Sequence, residues 1–293
     1  MEISIEEFLE YIRNRGKFSE NTIMSYSRDL KFFKNYLREQ NINKVENITT
    51  TVLSSYLIYM KNNDKAQSTI LRNISTIRGY FDYMFRSGKI KVDPSMDIEL
   101  PKQEKKPPEI LSQEQINKLL DMPDTSKVKG VRDKAMMELL YATGIKVSEI
   151  MEVKLDDINL DLSFVKCGNA STPRIIPFGS KANKVLNNYI ENFRSKIIKE
   201  ENNYLFVNLN GKNMTRQGIW KIVREYGKHV TDEKDITPNM IRHSFAMHLV
   251  QNGAELDAVQ EMLGHKDIAA TQLYAKMVKS KVADVYRKAH PRA

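Results

Sequence analysis

Residues 141–150 read YATGIKVSEI, where a helical apolar pattern meets a glycine and then two charged residues. The apolar periodicity before the glycine predicts a helix over about residues 131–142. Gly144 is the residue type that most easily takes the left-handed conformation at a helix C-terminus. The sequence therefore predicts a helix that stops at Gly144 and is followed at once by Lys146 and Glu149.

Two further strings carry cations, a histidine and a tyrosine. Residues 237–246 read TPNMIRHSFA, and residues 263–267 (LGHKD) are followed by TQLY at 271–274. Together with residues 141–150, they resemble the tyrosine recombinases, and specifically the Xer-type enzymes that resolve dimers of circular chromosomes. The resemblance covers nearly the whole length, because residues 21–30 and 290–293 are similar to that family's core-binding domain and C-terminus. Several collinear motifs are far more specific than any single one.

The apolar pattern predicts a mainly helical protein with two domains. Stripes at helical spacing predict four amphipathic helices within residues 1–100, and the charged, Pro-rich residues 101–109 predict a linker. Residues 110–293 combine further helices with a β-hairpin at 163–167 and 174–178, and residues 205–207 are expected to add a third strand. We therefore expect a mainly α fold with a small β-sheet in the C-terminal domain.

The resemblance adds roles to these two domains. It implies that the first is a SAM-like, core-binding domain that contacts DNA and that the second is the catalytic domain. It also implies that the two close as a clamp around duplex DNA.

Charge and composition agree with a nucleic-acid partner. The chain has 46 Lys and Arg against 37 Asp and Glu, and this net charge of +9 favours a polyanion. The single cysteine, Cys167, cannot form an internal disulfide, and the acidic N-terminus lacks the pattern of a signal peptide. No apolar run approaches the length that spans a bilayer. We expect a cytoplasmic protein without a membrane segment.

The resemblance also implies the chemistry. The family cuts one DNA strand at a time by attack of a tyrosine hydroxyl on a phosphodiester, without metal or ATP, so no cofactor is expected. Carried over by position, Tyr274 falls on the nucleophile, and Arg242 and His265 fall on groups that contact the scissile phosphate. These residue types suit the reaction, because planar cations stabilise the negative charge that gathers on the phosphate oxygens in the transition state.

Three of the family's catalytic positions are substituted here. Lys146 stands where the family has its first arginine, Asn169 aligns with the lysine of the hairpin, and Asn239 occupies a histidine position. Lysine keeps the charge but loses the rigid fork of arginine, and an amide cannot accept a proton near neutral pH. Lys166 is an alternative acid, although its odd offset from Asn169 turns it to the other face of a regular strand.

Two functions stay open at this point. The first is a site-specific recombinase of the DNA-integration or chromosome-resolution type, with activity weakened by the three substitutions. The second is a catalytically impaired paralogue that binds specific DNA as a regulator or as the silent member of a mixed tetramer. Both readings require a duplex recombination site and, by resemblance, a homo- or hetero-tetramer of recombinase subunits.

Further residues are expected to contact DNA or neighbouring subunits. The expected DNA contacts are Arg216 and Gln217 at a helix N-terminus, Arg174 in the hairpin, and Lys102, Lys105 and Lys106 in the linker. Residues 279–293 carry a short apolar stripe that a lone terminal helix cannot bury by itself. Family resemblance favours exchange of this segment between protomers, and docking within the same chain is the alternative.

Overall fold

The computed structural model describes residues 5–16, 18–98, 107–168, 173–198, 201–231 and 235–264. The chain divides into two compact units, Met1–Lys105 and Lys106–Ala293, whose boundary falls within the charged, Pro-rich residues 101–109. Within the described ranges, no helix is long and apolar enough to cross a bilayer.

The described residues of the first unit form a bundle of four α-helices. These are α1 (Glu6–Asn14), α2 (Glu20–Glu39), α3 (Thr50–Asn62) and α4 (Gln67–Arg86). The hydroxyls of Ser19 and Thr49 accept hydrogen bonds from the amides of Thr22 and Val52, at 3.2 and 3.3 Å. Because each bond caps an N–H of the first turn, α2 and α3 begin where the sequence supplies a hydroxyl.

Buried polar pairs fix α2 and α3 against α4. Asp29 Oδ2 accepts hydrogen bonds from Thr76 Oγ1 at 3.0 Å and from Arg72 Nη1 at 2.5 Å. The Tyr56 hydroxyl, which is fully buried, donates to Asn73 Oδ1 at 3.1 Å. A buried polar group without a partner costs about 1–3 kcal/mol, so these pairs favour a single packing of the bundle.

The described residues of the second unit form seven α-helices and a three-stranded antiparallel sheet. The helices are α5 (Gln113–Asp121), α6 (Val128–Thr143), α7 (Val147–Ile150), α8 (Ser180–Asn188), α9 (Arg216–Gly227), α10 (Pro238–Gln251) and α11 (Leu256–Leu263). The strands are β1 (Ile158–Asn159), β2 (Phe164–Cys167) and β3 (Arg174–Pro177), in the order β1-β2-β3. The predicted mainly α fold with a small C-terminal sheet is confirmed.

The prediction of a third strand at residues 205–207 is wrong. The third strand is β1, whereas Tyr204 and Val207 make only isolated bridges outside the sheet. The Leu205 carbonyl is bound by side chains, because the Tyr189 hydroxyl and Arg194 Nε donate to it at 3.2 and 3.3 Å. The apolar run is thus buried in the core without a neighbouring strand.

Helix α6 lies at the centre of the second unit and is buried on nearly all sides. Its first turns carry a buried ion pair, in which Arg132 Nη2 lies 2.6 Å from Asp133 Oδ1. The Tyr226 hydroxyl of α9 donates to Asp133 Oδ2 at 3.0 Å. A helix that is buried all round needs such internal partners for its charges, and here they join α6 to α9.

Gly144 ends α6 in a left-handed conformation, with φ +59°, as its residue type predicts. A Cβ at this position would lie 2.3 Å from Phe245 Cδ1 of α10 and 3.0 Å from Leu263 Cδ2 of α11. Real Cβ atoms do not approach other atoms that closely, so α10 and α11 pack directly against the backbone of Gly144.

We expect Gly144→Ala to destabilise the second unit by about 1–3 kcal/mol more than Gly253→Ala, because overpacking is added to backbone strain. Gly253 is the matched control, since its φ is +90° but a Cβ there would meet nothing within 4 Å. Urea unfolding followed by the fluorescence of Trp220, the single tryptophan, measures both variants. Equal losses in the two variants would contradict the close approach.

Candidate active site

Three segments of the second unit surround a cavity of about 540 Å³. The start of α7 contributes Lys146 and Glu149, the hairpin β2-β3 contributes Lys166 and Arg174, and the end of α11 contributes Gly264. Two of these cations, Lys146 and Lys166, are exposed beside the cavity, and the carboxylates of Glu149, Glu152 and Asp157 also line it.

Lys146 is the residue that precedes α7, and its side chain is exposed. Its backbone N–H donates to Glu149 Oε2 at 2.7 Å, so the carboxylate of the first turn caps the helix. The neighbouring Ile145 and Val147 are buried, which anchors the backbone on both sides. The main chain of Lys146 is therefore held firmly while its side chain reaches solvent.

Arg174 and Glu149 form a two-pronged ion pair across the cavity wall. Arg174 Nη1 lies 2.9 Å from Glu149 Oε1, and Arg174 Nη2 lies 2.7 Å from Glu149 Oε2. The third donor, Arg174 Nε, binds the carbonyl of Met262 at 2.9 Å. Both side chains of the pair are largely buried, with 9% and 15% of their surface exposed.

Burial alone would raise the pKa of Glu149, but the hydrogen bonds from Arg174 and from the Lys146 amide, together with both positive charges, outweigh it. The pKa of Glu149 is therefore held below its ordinary value. Burial raises the pKa of Cys167, which also lines the cavity, to about 11, so its thiol stays protonated at neutral pH.

Arg242 lies in α10, which starts at Pro238 with Thr237 as its capping residue. The Arg242 guanidinium donates to the carbonyl of Gly144 and, at 2.7 Å, to that of Leu263. It is 7% exposed and joins the C-terminal ends of α6 and α11. The adjacent His243 is mostly buried, and burial together with the Arg242 charge lowers its pKa.

The other predicted catalytic residues are less closely grouped. Asn239 is exposed in the first turn of α10, three residues before Arg242, and does not line the cavity. Lys166 is exposed on β2, opposite Ile175, and borders the cavity. His265, Tyr274 and Asn169 lie outside the described residues.

The predicted DNA contacts fall into three groups: exposed residues, residues outside the described ranges, and one residue that is bound within the protein. Arg216 and Gln217 are exposed in the first turn of α9, where the Thr215 hydroxyl accepts from the Gly218 amide at 3.0 Å. They lie apart from the cavity lining. Lys102, Lys105 and Lys106 lie outside the described residues, and Arg174 is engaged by Glu149 and Met262 as described above. A DNA contact at each of these residues stays a prediction.

Sequence reasoning assigned no role to Glu149, although the structure places it at the centre of the site. Its position three residues after Lys146 is the spacing of a helix cap, and this spacing is the sequence feature that indicates its contact with the Lys146 backbone. The partner, Arg174, is 25 residues away in sequence and carried no signal for this pairing. Within the described ranges, no group of three or more His, Cys, Asp or Glu side chains could hold a metal ion.

The depressed pKa of Glu149 predicts a pH dependence of stability. A carboxylate with a lowered folded-state pKa stabilises fully above its ordinary value of 4.5, and the contribution is lost as pH falls through the folded pKa. We expect Glu149→Gln to unfold more easily at pH 7 by about 1–3 kcal/mol, because Arg174 loses its counter-charge. The difference from the unmodified protein should shrink below pH 4.5.

Urea unfolding at pH 7 and pH 4 measures this difference. Glu152→Gln is the matched control, since Glu152 lines the same cavity and is exposed. A difference between Glu149→Gln and the unmodified protein that does not change with pH would contradict the proposed linkage.

The chain matches two families of domains. Residues 5–88 match the N-terminal SAM-like domain of phage integrases, and residues 109–281 match the phage integrase family. The tyrosine recombinase XerD of Staphylococcus haemolyticus (strain JCSC1435) is 44% identical over 295 residues, which cover 100% of both chains. The XerD of Oceanobacillus iheyensis is 41% identical over 297 residues, also with 100% coverage of both.

Solved structures share the fold. The XerH site-specific recombinase, in a post-cleavage complex with a palindromic difH substrate, superposes with a TM-score of 0.76 at 22% identity, over 90% of this chain and 78% of that one. The resemblance first seen in three short strings is thus confirmed by relatives that match from end to end. The chain belongs to the phage integrase family and is an Xer-type tyrosine recombinase, a site-specific DNA recombination enzyme.

Proposed function

We propose that this recombinase receives the scissile phosphate in the cavity between α7, the hairpin and the end of α11. The observation that carries the proposal is the meeting of these three segments around Lys146, Lys166 and Arg174, next to the α10 helix that carries Arg242. The Tyr274 hydroxyl gives up its proton to water as its oxygen attacks the phosphorus, a 3′-phosphotyrosyl bond forms, and the bond to the 5′-oxygen breaks. Attack by a 5′-hydroxyl on this link reverses the step and rejoins the strand.

Arg242, His265 and Lys146 are the groups that we assign to the phosphate. Arg242 supports this role because two backbone carbonyls fix the plane of its guanidinium, which keeps its orientation before DNA arrives. Lys146 brings a positive charge on a flexible stem, so it attracts the phosphate but orients it less well than an arginine. Asn239 can donate a hydrogen bond but cannot take a proton at neutral pH.

The departing 5′-oxygen needs an acid that gives it a proton. Asn169, at the hairpin position of the family's lysine, cannot supply it, and Lys166 is the alternative donor. Its support is that Lys166 is exposed and borders the same cavity as Lys146. The side chain is long enough to adjust its position over several ångströms.

Binding to duplex DNA draws on both units in this proposal. The unit Met1–Lys105 acts as the core-binding domain, Lys102, Lys105 and Lys106 follow the phosphates, and Arg216 and Gln217 contact DNA at the start of α9. Thr215 supports the last assignment, since a capped helix start with an exposed arginine suits a phosphate. A DNA recombination site as substrate supports the prediction of a cytoplasmic protein.

We further propose that four subunits assemble on two DNA sites, with residues 279–293 docking on a neighbour. Truncation after Met277 retains Tyr274 and should abolish cooperative assembly while leaving binding to a single half-site unchanged. Gel-shift titrations on half-sites and full sites measure both properties. Equal cooperativity in the truncated protein would contradict exchange of this segment.

The central experiment traps the covalent intermediate. On a nicked substrate, where the 5′-hydroxyl fragment diffuses away, the protein should form an adduct that survives a denaturing gel, and Tyr274→Phe should form none. We expect cleavage at least about three orders of magnitude slower than in a relative with all catalytic residues, since the missing donors and acid each contribute about 10²–10⁴ and do not add simply.

Two variations identify the missing groups. A 5′-thiolate leaving group should recover much of the rate, because it departs without an acid. The combined change Lys146→Arg, Asn169→Lys and Asn239→His should also accelerate cleavage. DNA binding without any adduct on either substrate would favour the alternative of a DNA-binding paralogue, and unaided cleavage at the full family rate would show that Lys166 or a partner subunit already supplies the missing groups.

A further inference from the structure

We propose that Arg174 is a positioning residue that aligns Lys146 and the end of α11 through Glu149 and the Met262 carbonyl. This inference rests on the proposed cleavage reaction and assigns Arg174 a role inside the protein rather than on the DNA. Three segments that are distant in sequence meet at this one guanidinium, namely β3, the start of α7 and the last turn of α11.

The first contact ties the hairpin to Lys146. Glu149 Oε2 accepts two hydrogen bonds, from Arg174 Nη2 and from the Lys146 backbone N–H, both at 2.7 Å. Arg174 Nη1 holds the other oxygen, so the carboxylate cannot rotate away from the Lys146 amide. The position from which the Lys146 side chain starts is therefore set by Arg174 through Glu149.

The second contact ties the hairpin to α11. The last carbonyls of a helix lack intrahelical donors, and here two of them bind guanidinium groups. Arg174 Nε donates to the Met262 carbonyl at 2.9 Å, and Arg242 Nη2 donates to the Leu263 carbonyl at 2.7 Å. Two cations at a helix C-terminus also interact favourably with its dipole.

The next residue shows how closely the chain passes Arg174. Gly264 has φ +62°, and a Cβ there would lie 2.8 Å from Arg174 Nη1. The backbone that leads into His265 therefore runs against the guanidinium. Arg174 and Arg242 together fix the point from which that segment departs.

The substitution at Lys146 makes this alignment more important. An arginine at that position would orient the phosphate with its own rigid fork, whereas a lysine is a point charge on a flexible stem. With a lysine at position 146, the location of the positive charge depends on how the main chain of Lys146 is held. A shift of about 1 Å in a group that positions the reaction can cost on the order of 100-fold in rate.

The test compares Arg174→Gln with Arg224→Gln in single-turnover cleavage of the nicked substrate at saturating DNA. Arg224 is the matched control, because it forms an exposed ion pair with Asp235 at 2.6 Å and lies outside the cavity lining. We expect Arg174→Gln to slow cleavage by about 10- to 100-fold with little change in DNA affinity. Arg224→Gln should change neither quantity.

A double-mutant cycle with Lys146→Ala shows whether Arg174 acts through Lys146. Residues that act as a unit have non-additive effects, so Arg174→Gln should cost much less once Lys146 is removed. Full additivity would overturn alignment through Lys146, and a loss of DNA affinity as large as the loss of rate would assign Arg174 to direct DNA contact instead. If Arg174→Gln does not fold, the double variant Arg174→Gln and Glu149→Gln replaces it in the cycle. This double variant leaves no unpaired buried charge.

Cleavage by the unmodified protein distinguishes failure of the proposed cleavage from failure of the positioning role. No adduct from the unmodified protein overturns the proposed cleavage itself. An adduct from the unmodified protein and an equal rate in Arg174→Gln overturn only the positioning role.

Discussion

The second unit depends on the way in which one guanidinium joins two helix ends. Arg242 binds the carbonyls of Gly144 and Leu263, and both helices stop in left-handed glycines, Gly144 and Gly264. Glycine is required at Gly144 because α10 and α11 pack where a side chain would otherwise lie. The arginine can reach both carbonyls only because the backbones approach so closely, so packing and polar contacts specify the same geometry. The residue assigned to the phosphate is thus also part of the fold.

This arrangement bears on the proposed role of the lysine at position 146. A lysine ammonium has no plane to orient, so its placement depends on where the main chain of the lysine is held. At Lys146, the buried neighbours Ile145 and Val147 and the carboxylate of Glu149 hold the main chain. The fold therefore keeps a cation beside the cavity even though the fork of arginine is gone. In the proposed reaction, a lysine at this position gives less control over the orientation of the phosphate. We expect this to lower the rate more than the affinity for DNA, because binding rests on many phosphate contacts.

Local patterns predicted the helices and the hairpin, since helix periodicity, capping hydroxyls and the stop at Gly144 are all encoded within a few residues. The strand predicted at residues 205–207 failed because an apolar run does not reveal whether its carbonyls meet a strand or side chains such as Tyr189. The pairing of Glu149 with Arg174 joins residues far apart in sequence, and only the fold brings them together. The motifs assigned roles toward DNA and did not indicate the contacts that hold Lys146 and the end of α11 in place.

The proposed recognition of a phosphate depends on the balance of charge around the cavity. Among the described residues that line it, three cations, Lys146, Lys166 and Arg174, stand against three carboxylates, Glu149, Glu152 and Asp157. Their formal sum is zero, so attraction by net charge alone does not account for a phosphate there. Glu149 is neutralised by Arg174 in a buried pair, and such pairs contribute little to stability while specifying geometry. Recognition in the proposed function then depends on where the donor side chains are anchored, and the buried pair fixes the main chain of Lys146.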